Sequence, residues 1–153
     1  KGSEDMRTRF MRPHQGGFTL IEIMMVVIII GLLAAVIAPK IFDSAGKARA
    51  AKSKQDIRVL ESALDLYKLD NFNYPSTAQG LEALVSAPSG EPPARNWKQG
   101  GYIKTLQKDP WGNPYQYLAP GTKGDIDIFT LGADNQPGGE GENADIGNWN
   151  LGG

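Results

Sequence analysis

Residues 18–38 read FTLIEIMMVVIIIGLLAAVIA, 21 residues whose single charge is Glu22. No other feature of the chain restricts its fold so tightly. At about 1.5 Å per residue, a helix of that length spans roughly 30 Å, the depth of a bilayer's hydrocarbon core. A buried helix in a soluble domain rarely stays apolar on every face for so long. The competing reading is a cleaved secretory signal, with Ala34-Ala35-Val36-Ile37-Ala38 as its small-residue cleavage site. Such signals carry a shorter apolar stretch. The expectation is a transmembrane and assembly helix over 18–38.

Residues 1–17 form a short basic leader, with Lys1, Arg7, Arg9 and Arg12 against Glu4 and Asp5. Its first five residues precede Met6 and read as extra residues or a start placed too early. Beyond the apolar run, Pro39 is expected to kink or loosen the helix, because it lacks an N–H and crowds the preceding turn. Helical patterning then resumes. Ile57, Leu60, Leu64 and Tyr67 recur at three- and four-residue spacing with charged residues between them. Together these predict one long helix from about Thr19 to about Leu69, apolar in its first half and amphipathic in its second. Lys40, Lys47, Arg49, Lys52, Lys54 and Arg58 read as a solvated face near lipid headgroups, in preference to a dedicated binding patch. They also leave membrane orientation undecided by charge.

The second half of the chain is loop-rich, since most of the chain's 19 glycines and 10 prolines fall after residue 70. Ser76 and Gln79 are spaced as a capping box, predicting a short helix to about Val85. Residues 115–118 and 125–131 read as short strands joined as a hairpin, with Asp109-Pro110-Trp111-Gly112-Asn113-Pro114 as dense turn punctuation. Ile146 and Trp149 predict that the glycine-rich tail packs back on the domain. The fold class is α+β: a long amino-terminal helix packed on a small antiparallel sheet, with 39–153 as the domain outside the membrane.

Several chemistries are excluded or disfavoured. The chain has no cysteine, and its one histidine, His14, lies in the leader. A catalytic triad built on histidine, or a histidine- or cysteine-ligated metal, is not available once the leader is removed. The net charge of −1 gives no reason to expect a nucleic-acid partner. No enzyme is expected.

At the junction of leader and helix stands Gly16-Gly17-Phe18-Thr19-Leu20-Ile21-Glu22. It resembles the type IV prepilin cleavage signature. Further matches follow at 69–77 (LDNFNYPST), 80–84 (GLEAL), 109–115 (DPWGNPY), 131–134 (LGAD) and 145–149 (DIGNW). The chain from Gly16 to Asn150 thereby resembles the major pseudopilins of bacterial type II secretion systems, within the type IV pilin-like superfamily. The resemblance implies that an inner-membrane prepilin peptidase cuts between Gly17 and Phe18 and methylates the Phe18 amine. It implies self-assembly into a periplasmic pseudopilus that helps drive folded proteins through the outer membrane, with minor pseudopilins and an inner-membrane assembly platform as partners. It places the leader in the cytoplasm and the domain in the periplasm. Glu22 fits this physically. A carboxylate inside lipid costs a few kcal/mol and is usually functional. The ammonium at Phe18 of an axially offset neighbour would relieve it. Snorkelling of Glu22 to the interface is the bland alternative.

After Lys123 there is no Lys or Arg, while Asp125, Asp127, Asp134, Glu140, Glu142 and Asp145 follow. The residues alone leave two readings open, a solvated acidic loop or a site for a hard cation such as Ca²⁺. The resemblance implies calcium, with Asp134, Asp145 and the Leu131 carbonyl as ligands and Glu140, Glu142 and Asn143 as further candidates. Asp125 and Asp127 share a strand face, expected to be solvated. Two other functions compete: a surface type IV pilin, many of which carry a disulfide loop absent here, and a membrane-anchored periplasmic enzyme or binding protein.

Overall fold

Helix α1, Leu20–Asn71, runs for 52 residues through Pro39 without ending there. The computed structural model describes residues 16–152. The basic residues of the leader, His14 and the five residues before Met6 lie outside the described residues. The chain divides after Lys40 into two compact units.

In the first unit, α1 carries the most apolar 18-residue window of the helix. Its mean hydropathy is 3.0, and none of that window is buried within the molecule. The core helix of a soluble domain would be covered by its own chain. This one presents Ile28, Ile29, Ile30, Leu32 and Leu33 outward. By length and composition it can cross a membrane.

The second unit holds the core. The face of α1 bearing Ile57, Leu60, Ala63, Leu64 and Tyr67 packs against Leu81 and Leu84, the strand residues Tyr117 and Ile128, and Ile146 of the tail. The predicted spacing is therefore the buried stripe. The helix closes at Asn71 and Phe72. The Phe72 amide donates to the Lys68 carbonyl at 2.7 Å, and Phe72 itself takes a φ of 67°. A left-handed aromatic residue is uncommon and ends the helical run.

Three short antiparallel strands form the sheet in the order β1, β2, β3: Gln116–Leu118, Asp127–Thr130 and Ile146–Gly147. The register sets Tyr117 opposite Ile128 and Phe129 opposite Gly147. The hairpin was legible, but its second strand is shorter than 125–131, and β3 has no two-residue periodicity long enough to read. The tail packs back as expected. Trp149 lies 5.6 Å from Phe129 ring to ring, and Arg58 donates to the Leu151 carbonyl at 3.0 Å.

One expectation is met and another needs correction. The Ser76–Gln79 box forms, with Ser76 N–H donating to Gln79 Oε1 at 2.9 Å and Gln79 N–H to Ser76 Oγ at 3.3 Å. It opens a turn and then the expected short helix, which is a 3₁₀ helix over Leu81–Leu84 with Val85 as its C-cap. Gly80, at φ 65°, breaks the right-handed run directly after the box. Asp125 and Asp127, by contrast, do not share a solvated face. Asp125 is exposed, whereas Asp127 is 1% exposed and accepts from Thr122 N–H at 2.6 Å, Thr122 Oγ1 at 2.8 Å and Lys123 N–H at 3.1 Å. It is the knot of the β1–β2 turn. Burial alone pushes its carboxyl up, but the bonds from Thr122, Lys123 and Gly124 outweigh this and hold it below the usual carboxylate range.

Candidate functional site

Two places carry the candidate residues: the amino-terminal end of α1 and the loop between β2 and β3.

At the first, Thr19 and Glu22 cap the helix reciprocally. Glu22 N–H donates to Thr19 Oγ1 at 3.2 Å, and Glu22 Oε2 accepts from Thr19 N–H at 3.0 Å and from the Thr19 hydroxyl at 3.3 Å. The Thr-x-x-Glu spacing is the capping-box pattern, and it satisfies amides that a helix start leaves orphaned. Sequence reasoning weighed Glu22 only as a charge and missed Thr19, although the same spacing was recognised at Ser76. A negative group in the first turn also complements the helix dipole. Phe18 is 83% exposed just before the cap. Among the described residues, a Cβ added at Gly17 would meet nothing within 4 Å. The packing of the described residues therefore places no requirement for glycine at 17, which leaves a role for something that reads the bare backbone.

At the second place, Leu131 leaves β2 and the chain turns at Gly132, which is buried with a φ of 69°. A Cβ there would stand 2.6 Å from the Glu142 carbonyl, so only glycine allows the loop's two arms to approach. Ala133 N–H then donates to that carbonyl at 2.9 Å. The entrance is braced from below. Gly132 N–H donates to Thr130 Oγ1 at 3.2 Å, and the Thr130 hydroxyl donates to buried Asp109. Asp109 also accepts from Trp111 N–H at 3.0 Å and Asn113 N–H at 2.8 Å. The Asp109–Asn113 turn thus fixes the start of the loop.

The candidate ligands divide by what already holds them. Asp134 is exposed and accepts from Gln136 N–H at 3.1 Å. Asp145 Oδ2 accepts from Gly138 N–H at 2.9 Å, while its Oδ1 is buried and meets no hydrogen-bond partner among the described residues. Glu142 is engaged by Arg49 Nη1 at 2.9 Å and by Trp111 Nε1 at 3.4 Å. Glu140 and Asn143 are exposed at the two ends of the short 3₁₀ turn Gly141–Asn143, the first just before it and the second its last residue. Among the described residues no three His, Cys, Asp or Glu side chains gather as a metal cluster. A buried carboxylate oxygen without a partner is costly and fits a bound cation. Carbonyls would have to complete the shell, which suits the irregular all-oxygen coordination of Ca²⁺.

The flanking chemistry agrees with relatives. The family described as "Type II secretion system (T2SS), protein G" matches residues 40–149, and the "Prokaryotic N-terminal methylation motif" matches residues 12–38. A type II secretion system core protein G of Vibrio cholerae is 61% identical over 137 residues, 90% of this chain and 93% of that protein. Its counterpart from Pseudomonas aeruginosa is 58% identical over 138 residues, 90% and 97% of the two chains. The crystal structure of the major pseudopilin from the type 2 secretion system of enterohaemorrhagic Escherichia coli is similar with a TM-score of 0.63 and 52% identity. It covers 69% of this chain and 90% of that one. A prepilin-type amino terminus, a long helix on a three-stranded sheet and these identities lead to one conclusion: the chain belongs to the type II secretion system protein G family, the major pseudopilins.

Proposed function

We propose that this chain is the repeating subunit of a periplasmic pseudopilus that helps drive folded proteins through the outer membrane. The observation that carries this is the coincidence at one point of Gly17, Phe18 and Glu22 with a helix that is apolar and uncovered on all sides. Before assembly, lipid covers that surface. After assembly, neighbouring copies cover it, and lipid entropy and side-chain packing favour the exchange. A prepilin peptidase cuts between Gly17 and Phe18 and methylates Phe18. The new ammonium of one copy pairs with Glu22 of an offset copy, so each relieves the other's desolvation. Minor pseudopilins and an inner-membrane platform start and feed the polymer. The role is structural, without a catalytic step.

A calcium ion would be held in the β2–β3 loop by Asp145, Asp134 and the Leu131 carbonyl, with Glu140 and Asn143 as further oxygen donors. The unpartnered Asp145 Oδ1 supports this. When bound, the ion supplies charge neutralisation and a crosslink across a glycine-rich loop.

Intact mass of the protein extracted from membranes tests the main reading. The expected species lacks residues 1–17 and carries one added methyl group. An uncut chain in assembling cells would overturn it.

A further inference from the structure

Three features from two elements, α1 and the turn before β1, converge on the side chain of Glu142. Arg49, on α1, reaches both of its carboxylate oxygens, at 2.9 and 3.2 Å. Trp111, in the turn before β1, aims its indole N–H at Oε2 from 3.4 Å. Gly46, three residues before Arg49, leaves the helix surface bare where the side chain lies. A Cβ there would stand 2.8 Å from Oε1 and 3.0 Å from Cγ. Glycine inside a helix is disfavoured against alanine, so its presence under Glu142 has a packing reason. The same seat borders a hollow of about 250 Å³ lined by Phe42, Lys47 and Gly141 among others.

We infer that Glu142 is a positioning residue. Its carboxylate clasps the loop to α1, and this clasp, not ligation by Glu142, sets how tightly the loop holds a divalent cation. The inference rests on the calcium reading for its cation and on the clasp geometry for the rest. Glu142 sits three residues from Asp145, and its own carbonyl receives the Ala133 N–H beside Asp134. Holding Glu142 therefore holds both arms of the loop, and ligands held in place lose less freedom on binding. The linkage is reciprocal: an ion that prefers the closed loop also tightens the clasp.

The sign of one substitution separates this from simple electrostatics. Arg49 is a cation beside an acidic loop, so by Coulomb's law its removal should tighten binding of a divalent cation. The clasp requires the opposite. Calcium titration of the detergent-solubilised, processed chain by calorimetry should show one ion per chain in the wild type. Arg49→Gln, Glu142→Gln and Gly46→Ala should each raise Kd roughly two- to fivefold, the range a partly exposed ion pair supports, without loss of stoichiometry. The double variant Arg49→Gln/Glu142→Gln should be no weaker than either single one. In chelator, hydrogen exchange at the Ala133 amide should quicken by a similar factor in the single variants. Tighter or unchanged binding by Arg49→Gln overturns the inference, as does abolition of binding by Glu142→Gln alone. No calcium uptake by the wild type overturns the coupling together with the calcium reading. Unchanged exchange at Ala133 overturns the clasp itself.

Discussion

The Thr19 hydroxyl and the Glu22 carboxylate hold each other across the first turn of α1, amide to side chain in both directions, at 3.2 and 3.0 Å. Glu22 therefore has two separable properties, a capping oxygen and a negative charge. Gln at that position keeps the first and loses the second.

Glu22→Gln should insert, fold and be processed, yet fail to assemble efficiently. Glu22→Ala should fail likewise and also weaken the helix start by about 1 kcal/mol. Crosslinking of subunits in membranes reads the difference. A wild-type ladder from Glu22→Gln would show that the charge plays no part in pairing.

Gly17→Val should accumulate as the uncut precursor. Among the described residues a side chain at 17 meets open space, so the block would lie in the peptidase that must approach the backbone. A gel shift reports it, and normal maturation of the variant would move the cleavage site elsewhere.

Calcium should raise the melting temperature of the detergent-solubilised chain by several degrees over chelator. An ion at one hundred times its Kd adds about 3 kcal/mol if it binds only the folded state. Asp134→Ala and Asp145→Ala should each abolish the increment while α1 stays helical by circular dichroism. Magnesium should substitute poorly, because it demands tight octahedral geometry. Equal melting in calcium and chelator would leave the loop merely acidic.

Asp127→Asn should cost about 1–3 kcal/mol at neutral pH, since an amide cannot accept all the bonds that converge on the carboxylate. The folded-state acidity of Asp127 is strengthened, so its contribution is present above the unfolded carboxyl range near 4 and fades as pH falls through the lower folded value. The gap between wild type and variant should therefore narrow in acid. A gap that widens below pH about 4 contradicts this assignment.

Tyr67→Phe should be neutral or stabilising by up to about 1 kcal/mol. The Tyr67 hydroxyl is buried and meets no hydrogen-bond partner among the described residues, while its ring packs 5.3 Å from that of Tyr102. Removing an unsatisfied polar atom and keeping the ring loses nothing. Chemical denaturation with an unchanged m-value checks this.

How much of this was legible follows from where the information resides. Ile57, Leu60, Leu64 and Tyr67 announce their buried face because helical periodicity is a local signal. The Gly17–Glu22 signature is local as well. Arg49 and Glu142 could not be paired in advance, since 93 residues separate them and either charge alone reads as solvated. The same holds for Asp109 and Thr130, which meet only after the sheet forms. β3 escaped notice because two residues establish no alternation. Asp127 was misread for a different reason. Its neighbours Thr122 and Lys123 look like ordinary turn residues until their amides are seen aimed at one carboxylate.

The placement of the three tryptophans gives this molecule an optical read-out of its own. Trp111 touches the clasp on Glu142, and Trp149 leans on Phe129 beyond β3, so two indoles bracket the loop. The third, Trp97, donates to the Ala83 carbonyl at 2.8 Å against the core and belongs to neither arm. Intrinsic fluorescence therefore contains both reporters and an internal reference. Replacing Trp97 with phenylalanine would leave only the indoles of Trp111, against the loop, and Trp149, on the tail, without dye, label or tag.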